Sequence, residues 1–416
     1  TANIMQAYTL FTLVDVFGDV PWSEALQGTD IIGPKEDAGA EVYAVAITML
    51  DDAIAALEAS ESASPAVDIF YGGDAASWIT LANTLKLRAY VQTRLVDASA
   101  GAKIAEIVAA GDIIDEAGED FQWQYSNNRL NPDSRHPFYA DAYEFNDGDY
   151  MNNWYMWLLV GEKDDVDPRA RFYFYRQERD LSDEDPNIWD CIFSLTPDIE
   201  ARPDHYEAVD PDMPYCIAAE LTDGYFGRDH GNGSGIPPDG PIRTVYGLYP
   251  GGGSFDDNDN SNRQNQGVDG AQGRGIQPMM LSSFVSFLRA EAALTAGTGE
   301  DARALLESGI NASMDKVFSF SSAVDGSKVV ATSPTGDEIT LQTAFLDPLA
   351  DNQAAYVDAV LAEYDAADAD GQLNIVIREY FIAAWGNGIE TYNAYRRTAK
   401  PNNIQPTIDP GGGAYA

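Results

Sequence analysis

Basic residues are scarce in this 416-residue chain: 25 Lys and Arg stand against 67 Asp and Glu, a formal net charge of -42, and no basic run occurs. Affinity for nucleic acid comes largely from Lys and Arg displacing phosphate counterions, so nucleic acid is excluded as a partner. The same field repels polyanionic ligands unless bound cations or a local arginine patch invert it, and it favours neutral ones. Adaptation to a salty, exposed environment is the favoured reading of the acidity over a specific cation-binding role. Histidine is almost missing. His136, His205 and His230 lie far apart with no HExxH or CxxC companion, which argues against a zinc site. No stretch approaches the ~20 apolar residues that span a bilayer, and no secretory signal opens the sequence. A nucleophile elbow, a Walker loop and a dinucleotide fingerprint are all lacking. The two cysteines, Cys191 and Cys216, form a disulfide candidate. Bridged, they would close a loop of about 25 residues worth roughly 3–4 kcal/mol in the chain-entropy model. Such a bridge belongs in an oxidising compartment; two free buried thiols are the alternative.

What is present is enough apolar and aromatic residue, 45% and 11%, to build a sizeable core. Apolar residues recur at three- and four-residue steps over 1–17 (Ala7, Leu10, Phe11, Val14), 41–58 (Tyr43, Ile47, Leu50, Ile54) and 75–97 (Trp78, Leu81, Leu85, Ala89), which predicts three amphipathic helices. Because the first stripe begins at once, we expect a preceding segment to have been removed. Gly18 and Pro21 should stop the first helix, and Asp74 should cap the third. A second helical group is expected over 279–296, from Thr298 onward with Asp301 at capping-box spacing, near 353–364, and over 373–385 and 387–396. Hairpins of about 34 residues resemble degenerate tetratricopeptide pairs. Residues 118–278 read differently, dense in Gly, Pro, Asn and Asp with abundant aromatics, and Phe172–Tyr175 there could form a short strand. So long an irregular stretch with this aromatic content points to function.

Four segments, in order, resemble the SusD/RagB family of nutrient-binding outer-membrane lipoproteins. They are Ala7-Tyr8 through Phe17-Gly18-Asp19-Val20-Pro21; Tyr71-Gly72-Gly73-Asp74 with Trp78, Asn83 and Leu85-Lys86-Leu87-Arg88; Gly227-Arg228-Asp229-His230-Gly231 to Gly247-Leu248-Tyr249-Pro250-Gly251-Gly252; and Phe287-Leu288-Arg289-Ala290-Glu291-Ala292 with Trp385-Gly386-Asn387-Gly388-Ile389-Glu390 and Tyr392 to Thr398. The resemblance implies an all-α-dominated fold, one SusD-like domain over 1–416. Its tetratricopeptide-like scaffold would occupy 1–117 and 279–400, with an irregular binding region at 118–278. It also implies capture of an oligosaccharide or polysaccharide, a TonB-dependent SusC-like transporter as partner, and a lipid anchor to the outer membrane outside the sequence. Peptide capture is the alternative within the family, and a protein-binding helical scaffold is the alternative outside it. Most motif residues, Arg289, Glu291, Arg396 and Arg397 among them, should tie helices together rather than touch ligand.

A sugar site needs flat aromatic faces flanked by amide and guanidinium groups, and residues 123–157 supply both. The candidates are Trp154, Trp157, Tyr155, Asn127, Arg129 and Asn131, with Trp189 and Tyr225 behind them. Trp154 and Trp157, three apart, read more readily as the buried face of a short helix, but at least one aromatic of this region is expected to be exposed and to contact ligand. Arg169 and Arg171 would share a strand face able to receive a carboxylate or sulfate, and pairing with nearby acids competes. Asp256, Asp257 and Asp259 offer the oxygens calcium prefers, but the loop lacks the glycine and distal glutamate of an EF-hand, so a solvated turn competes. A helical glycoside hydrolase would need two carboxylates facing across a cleft; 67 acids make such pairs too easy to find to be a signal. No catalytic residue and no cofactor is expected, calcium being the one candidate considered.

Overall fold

The computed structural model describes residues 1–59, 67–145, 149–178, 202–215, 224–232, 242–259, 261 and 267–408. Trp189, Cys191 and Cys216 lie outside the described residues. In chain order the helices are α1 (Ala2–Phe17), α2 (Gly39–Glu58), α3 (Ala75–Thr93), α4 (Ala100–Ala110), α5 (Pro137–Ala140), α6 (Asn153–Val160), α7 (Ala170–Tyr173) and α8 (Asp204–Glu207). They continue with α9 (Ser282–Ala296), α10 (Ala302–Phe318), α11 (Leu349–Ala366), α12 (Ala369–Ala383) and α13 (Gly388–Thr398). Helix dominates, as expected, and none of the described helices is long and apolar enough to cross a membrane.

The chain forms two compact units, one of residues 1–122, 278–312 and 367–399 and one of 123–277, 313–366 and 400–416. In the first, α1 packs on α2, α2 on α3 and α3 on α4, while α9 joins α3, α4 and α12, and α13 closes on α1 and α3. The apolar stripes meet in a core that includes Phe11, Leu50, Trp78, Leu85, Phe284 and Ile377. Local chemistry sets the helix ends. The Gly18 N–H reaches the Val14 carbonyl at 2.8 Å with Gly18 at φ 80°, a conformation glycine adopts without strain. Asp74 caps α3 by accepting the Ser77 N–H at 2.8 Å. The α10 cap is Asp301, whose carboxylate accepts the Arg303 and Ala304 N–H groups at 3.0 and 3.2 Å, and not Thr298. An aspartate one residue ahead of the helix reaches its first free N–H groups, and Thr298 lies a turn too early.

The sequence motifs turn out to be joints. In the segment before α3, the Asp68 carboxylate gathers the N–H groups of Phe70, Tyr71 and Gly73 and the Trp78 indole N–H, at 2.7–3.1 Å. At the centre of the helical unit, Arg88 sits between Asp15 (2.8 Å) and Glu390 (2.6 Å), with all three side chains no more than 3% exposed. The Tyr43 hydroxyl donates to Asp15, Tyr380 donates to Glu390 at 2.9 Å, and Asn393 donates to Asp15 at 2.7 Å. A second arginine pair flanks this triad: Arg397 grips Glu291 through two bonds of 2.7 Å, and Arg94 meets the same carboxylate at 2.8 Å. Gln92 links the groups through Asn393 and Arg397. Three buried guanidiniums thus face three buried carboxylates, and segments far apart in sequence are keyed together. Burial opposes the charge on Arg88, but Glu390 and Asp15 outweigh it and hold its pKa well above the ordinary value.

In the second unit the core is aromatic. Tyr139, Ala142, Tyr143, Tyr175 and Val245 form one buried cluster, with the Tyr139 and Tyr143 rings stacked at 4.8 Å. Phe172–Tyr175 is only half strand: α7 runs to Tyr173, and Phe174–Tyr175 pairs antiparallel with Val245–Tyr246. The glycine-rich run after it packs too closely for side chains. A Cβ on Gly247 would lie 2.4 Å from the Phe172 carbonyl oxygen, and one on Gly270 would lie 1.9 Å from that of Gly253. A second antiparallel pair joins Val329–Thr332 to Glu338–Thr340.

Candidate functional site

Two features of the second unit carry the chemistry that the sequence singled out. The first is the loop from Tyr125 to His136. It folds on itself through Ser126 N–H to the Ser134 carbonyl and Ser134 N–H to the Asn128 carbonyl, both 2.9 Å, with the Asn128 amide donating to the Pro132 carbonyl at 2.8 Å. Asn127, Arg129 and Asn131 are brought together on it, all exposed, and Trp123, 38% exposed, precedes it. Beneath them Arg135 is buried in ion pairs with Asp133 and Glu144, both at 2.7 Å, and Glu144 also takes Arg129. The loop therefore presents amides and a guanidinium on a charge-paired base.

His136 anchors the end of the loop, 99% buried, edge-on to Tyr125 at 4.7 Å and beside Phe138 at 4.8 Å. Burial pushes its imidazole down to about 4, against a weaker upward pull from the Ile276 backbone. The folded pKa is below the unfolded one, so this contribution is complete above about pH 6.5 and is lost as pH falls from there toward 4. We expect acidification from pH 7.5 to 5 to cost about 2 kcal/mol through this group. Urea midpoints against pH for wild type and His136→Asn check it: the two curves should converge at acid pH, and parallel curves would remove the effect.

The second feature is a cavity of about 470 Å³. Its walls include Arg171, Arg176, Tyr225, Asn258, Phe345 and Asn352. Arg176 is fixed by Asp256 at 2.5 and 3.0 Å, and the Asn258 side-chain oxygen accepts from Arg176 at 2.7 Å and from Arg171 at 3.1 Å. The Arg176 guanidinium lies over the Tyr225 ring at 4.9 Å and that of Arg171 over Phe345 at 4.2 Å. Behind the wall, Arg169 is fully buried and held by Asp167 at 2.6 Å, with Ser313 accepting at 3.0 Å. Arg169 and Arg171 do not share a strand face, because α7 starts between them.

The remaining candidates fall elsewhere. Trp154 and Trp157 are each 6% exposed, on the core face of α6, and Tyr155 is half-buried against Phe174. Asn152 caps α6, accepting the Tyr155 N–H at 3.0 Å. Tyr225, 8% exposed, reaches the cavity beneath Arg176. Asp257 and Asp259 both meet Lys328, at 2.6 and 3.0 Å, so the acids considered for calcium are paired with cations. Among the described residues no His, Cys, Asp and Glu group has metal-holding geometry. Sequence reading missed Phe345 and Asn352, since nothing local marks residues whose role depends on packing more than 160 positions from Arg171 and Arg176.

Comparison with known proteins supplies the context. Residues 1–188 match the SusD-like family described as starch-binding and associating with the outer membrane, and residues 249–416 match the SusD and RagB outer membrane lipoprotein family. No curated protein gives a significant sequence match. Among solved structures, a SusD homolog from Bacteroides fragilis superposes with TM-score 0.61 at 16% identity, over 97% of this chain and 72% of the other. A SusD-like protein from Bacteroides thetaiotaomicron gives TM-score 0.60 at 19% identity, over 99% and 71%. A chitin-binding SusD homolog from Flavobacterium johnsoniae gives TM-score 0.58 at 20% identity, over 96% and 69%.

Proposed function

We propose, for a chain that belongs to the SusD/RagB family of outer membrane lipoproteins, that it captures an oligosaccharide at the cell surface and passes it to a TonB-dependent SusC-like transporter without covalent chemistry. The lipid anchor and the transporter come with that proposal. The observation that carries the ligand class is the second unit's exposed Trp123 next to a loop that exposes the Asn127 and Asn131 amides and the Arg129 guanidinium, the last paired with Glu144, on a charge-paired base. Sugar rings are held by this pairing of an apolar flat face with donors and acceptors at its edge, on a largely preformed surface. A relative in the same fold is a chitin-binding protein, which supports a glycan over a peptide. Trp154, Tyr155 and Trp157 take a supporting place in this reading, holding α6 behind the binding surface. The overall charge of -42 favours a largely neutral ligand over a polyanion.

A second reading, docking of another protein on the helical unit, has one observation behind it: a groove of about 630 Å³ between α1, α2 and the ends of α3 and α13, with Leu95 and Val96 exposed beside it. Calorimetric titration with an oligosaccharide panel and a peptide pool decides. Glycans should bind and peptides should not, and Trp123→Ala should weaken glycan binding by about tenfold, the worth of one stacked aromatic. Peptide binding without glycan binding would overturn the reading, and so would release of new reducing ends from a bound polysaccharide.

A further inference from the structure

We infer that a hollow between α3 and α4, within the helical unit, binds one free monosaccharide; this site is separate from the loop at 125–136 and does not depend on glycan capture there. From Trp78 to Val91 the helix α3 is buried except at Ile79, Asn83, Lys86 and Tyr90, which recur at four-, three- and four-residue steps and so share one face. Of the motif residues on this helix, Trp78 and Arg88 belong to the joints described above. Asn83 and Lys86 do not: with Tyr90 they wall a cavity of about 350 Å³. Lys103, Glu106 and Ile107, on one face of α4, form the facing wall, and Asp51 of α2 and Asp112 complete it. Lys86 is largely covered, whereas Lys103 and Glu106 stand half or more exposed, so the α3 side is the fixed part of the cavity.

The polar groups of this cavity come as neighbouring donors and acceptors. Lys86 lies 2.6 Å from Asp51 and Lys103 lies 3.3 Å from Glu106, while the Asn83 amide donates to Asp112 at 3.2 Å. The Thr80 hydroxyl also donates to Asp112, at 2.6 Å, and fixes that carboxylate. Each hydroxyl of a sugar donates one hydrogen bond and accepts others, so a pair of adjacent hydroxyls is met by a carboxylate beside an N–H donor. The pairs keep that capacity, because an ammonium carries three donors and a carboxylate offers more than one acceptor site. The Tyr90 hydroxyl makes no hydrogen bond to a described residue. Burial raises its pKa against the opposing pull of Lys103 and Lys86, so it stays a protonated donor at neutral pH. The Tyr90 ring and Ile107 supply apolar surface for the face of a sugar ring. Two ammoniums stand against three carboxylates, a balance that does not favour an anion, and the volume is within the range of small-ligand sites.

The test is a calorimetric titration of the whole chain with glucose, galactose, mannose, xylose and N-acetylglucosamine, beside glycine and putrescine as small ligands without a sugar ring. At least one sugar should bind one-to-one with a Kd of about 1 mM or tighter. Tyr90→Phe removes a hydroxyl that has no protein partner, so it should weaken that sugar about fivefold while leaving the melting temperature unchanged. Lys86→Met should weaken it about tenfold or more, as loss of a charged donor requires. Prior saturation with a bound oligosaccharide should leave the monosaccharide in place. The site is overturned if no monosaccharide binds, if the affinity survives both substitutions, if an oligosaccharide displaces the sugar, or if glycine or putrescine binds more tightly than every sugar. Failure of the oligosaccharide panel alone would overturn glycan capture and leave this site standing.

Discussion

Replacing Arg88 with methionine is expected to destabilise the helical unit by about 3–5 kcal/mol, the cost of removing one partner from a buried ionic cluster. Arg88 is the cation between Asp15 and Glu390, at 2.8 and 2.6 Å, and none of the three side chains is more than 3% exposed. Without it, two carboxylates face each other with no positive charge between them. Glu390→Gln should cost less, because it leaves Arg88 and Asp15 as a one-to-one pair. Urea denaturation followed by far-ultraviolet circular dichroism measures both. A loss under about 1 kcal/mol for Arg88→Met, the scale of an exposed pair, would mean the cluster does not hold the helices together. The asymmetry also explains why these residues form the recognisable motifs: each is fixed by partners from distant segments, so no one of them can change alone.

Asp167→Ala in the second unit is expected to have an effect of similar size for the opposite charge. Arg169 is fully buried and draws on Asp167 through bonds of 2.6–3.2 Å, with Ser313 as a further partner. Losing the carboxylate strands a guanidinium, which cannot give up its proton, so about 3–5 kcal/mol should be lost. Asp167 also borders the cavity, so the titrations with oligosaccharide show whether that wall matters to binding. Unfolding by urea read through tryptophan fluorescence, alongside the same titrations used for wild type, distinguishes the outcomes. A variant as stable as wild type would show that water replaces the carboxylate and that Arg169 is not an anchor.

The helical scaffold was legible because its signal is local. Stripes at 3.6-residue spacing located α1, α2, α3 and the helices from α9 onward, and Asp74 and Gly18 marked their ends. Helix α4 was not foreseen: AGAKIAEIVAA offers only Ile104 and Ile107 as sizeable buried apolar groups, too short a stripe to stand out. The start of α9 was placed three residues early, because Ile276–Met280 is extended with Pro278 inside it and the apolar run gives no sign of the change. Likewise Asn387 stands out in the sequence only as part of a motif, whereas its side chain caps α13 by accepting the Glu390 N–H, as that of Asp368 caps α12.

The binding face was legible in region and not in residue. Aromatics and amides of 123–157 marked the right stretch for an aromatic-cored unit, but composition does not separate a ring that faces solvent from one that fills a core. NWYMWLLV is apolar on every side, and that continuity is itself a sign of burial that outweighs the attraction of two tryptophans. Arg169 and Arg171 stand out in the sequence, yet the pairing of Arg176 with Asp256 and the closeness of Arg171 to Phe345 depend on contacts across 80 to 174 residues that no local pattern encodes.

The division of labour between scaffold and binding unit is open to one direct measurement: hydrogen–deuterium exchange of the whole chain with and without saturating oligosaccharide. Protection is expected over 123–138, with α1, α2, α3 and α13 unchanged. Protection confined to those four helices, with the second unit exchanging as before, would contradict it.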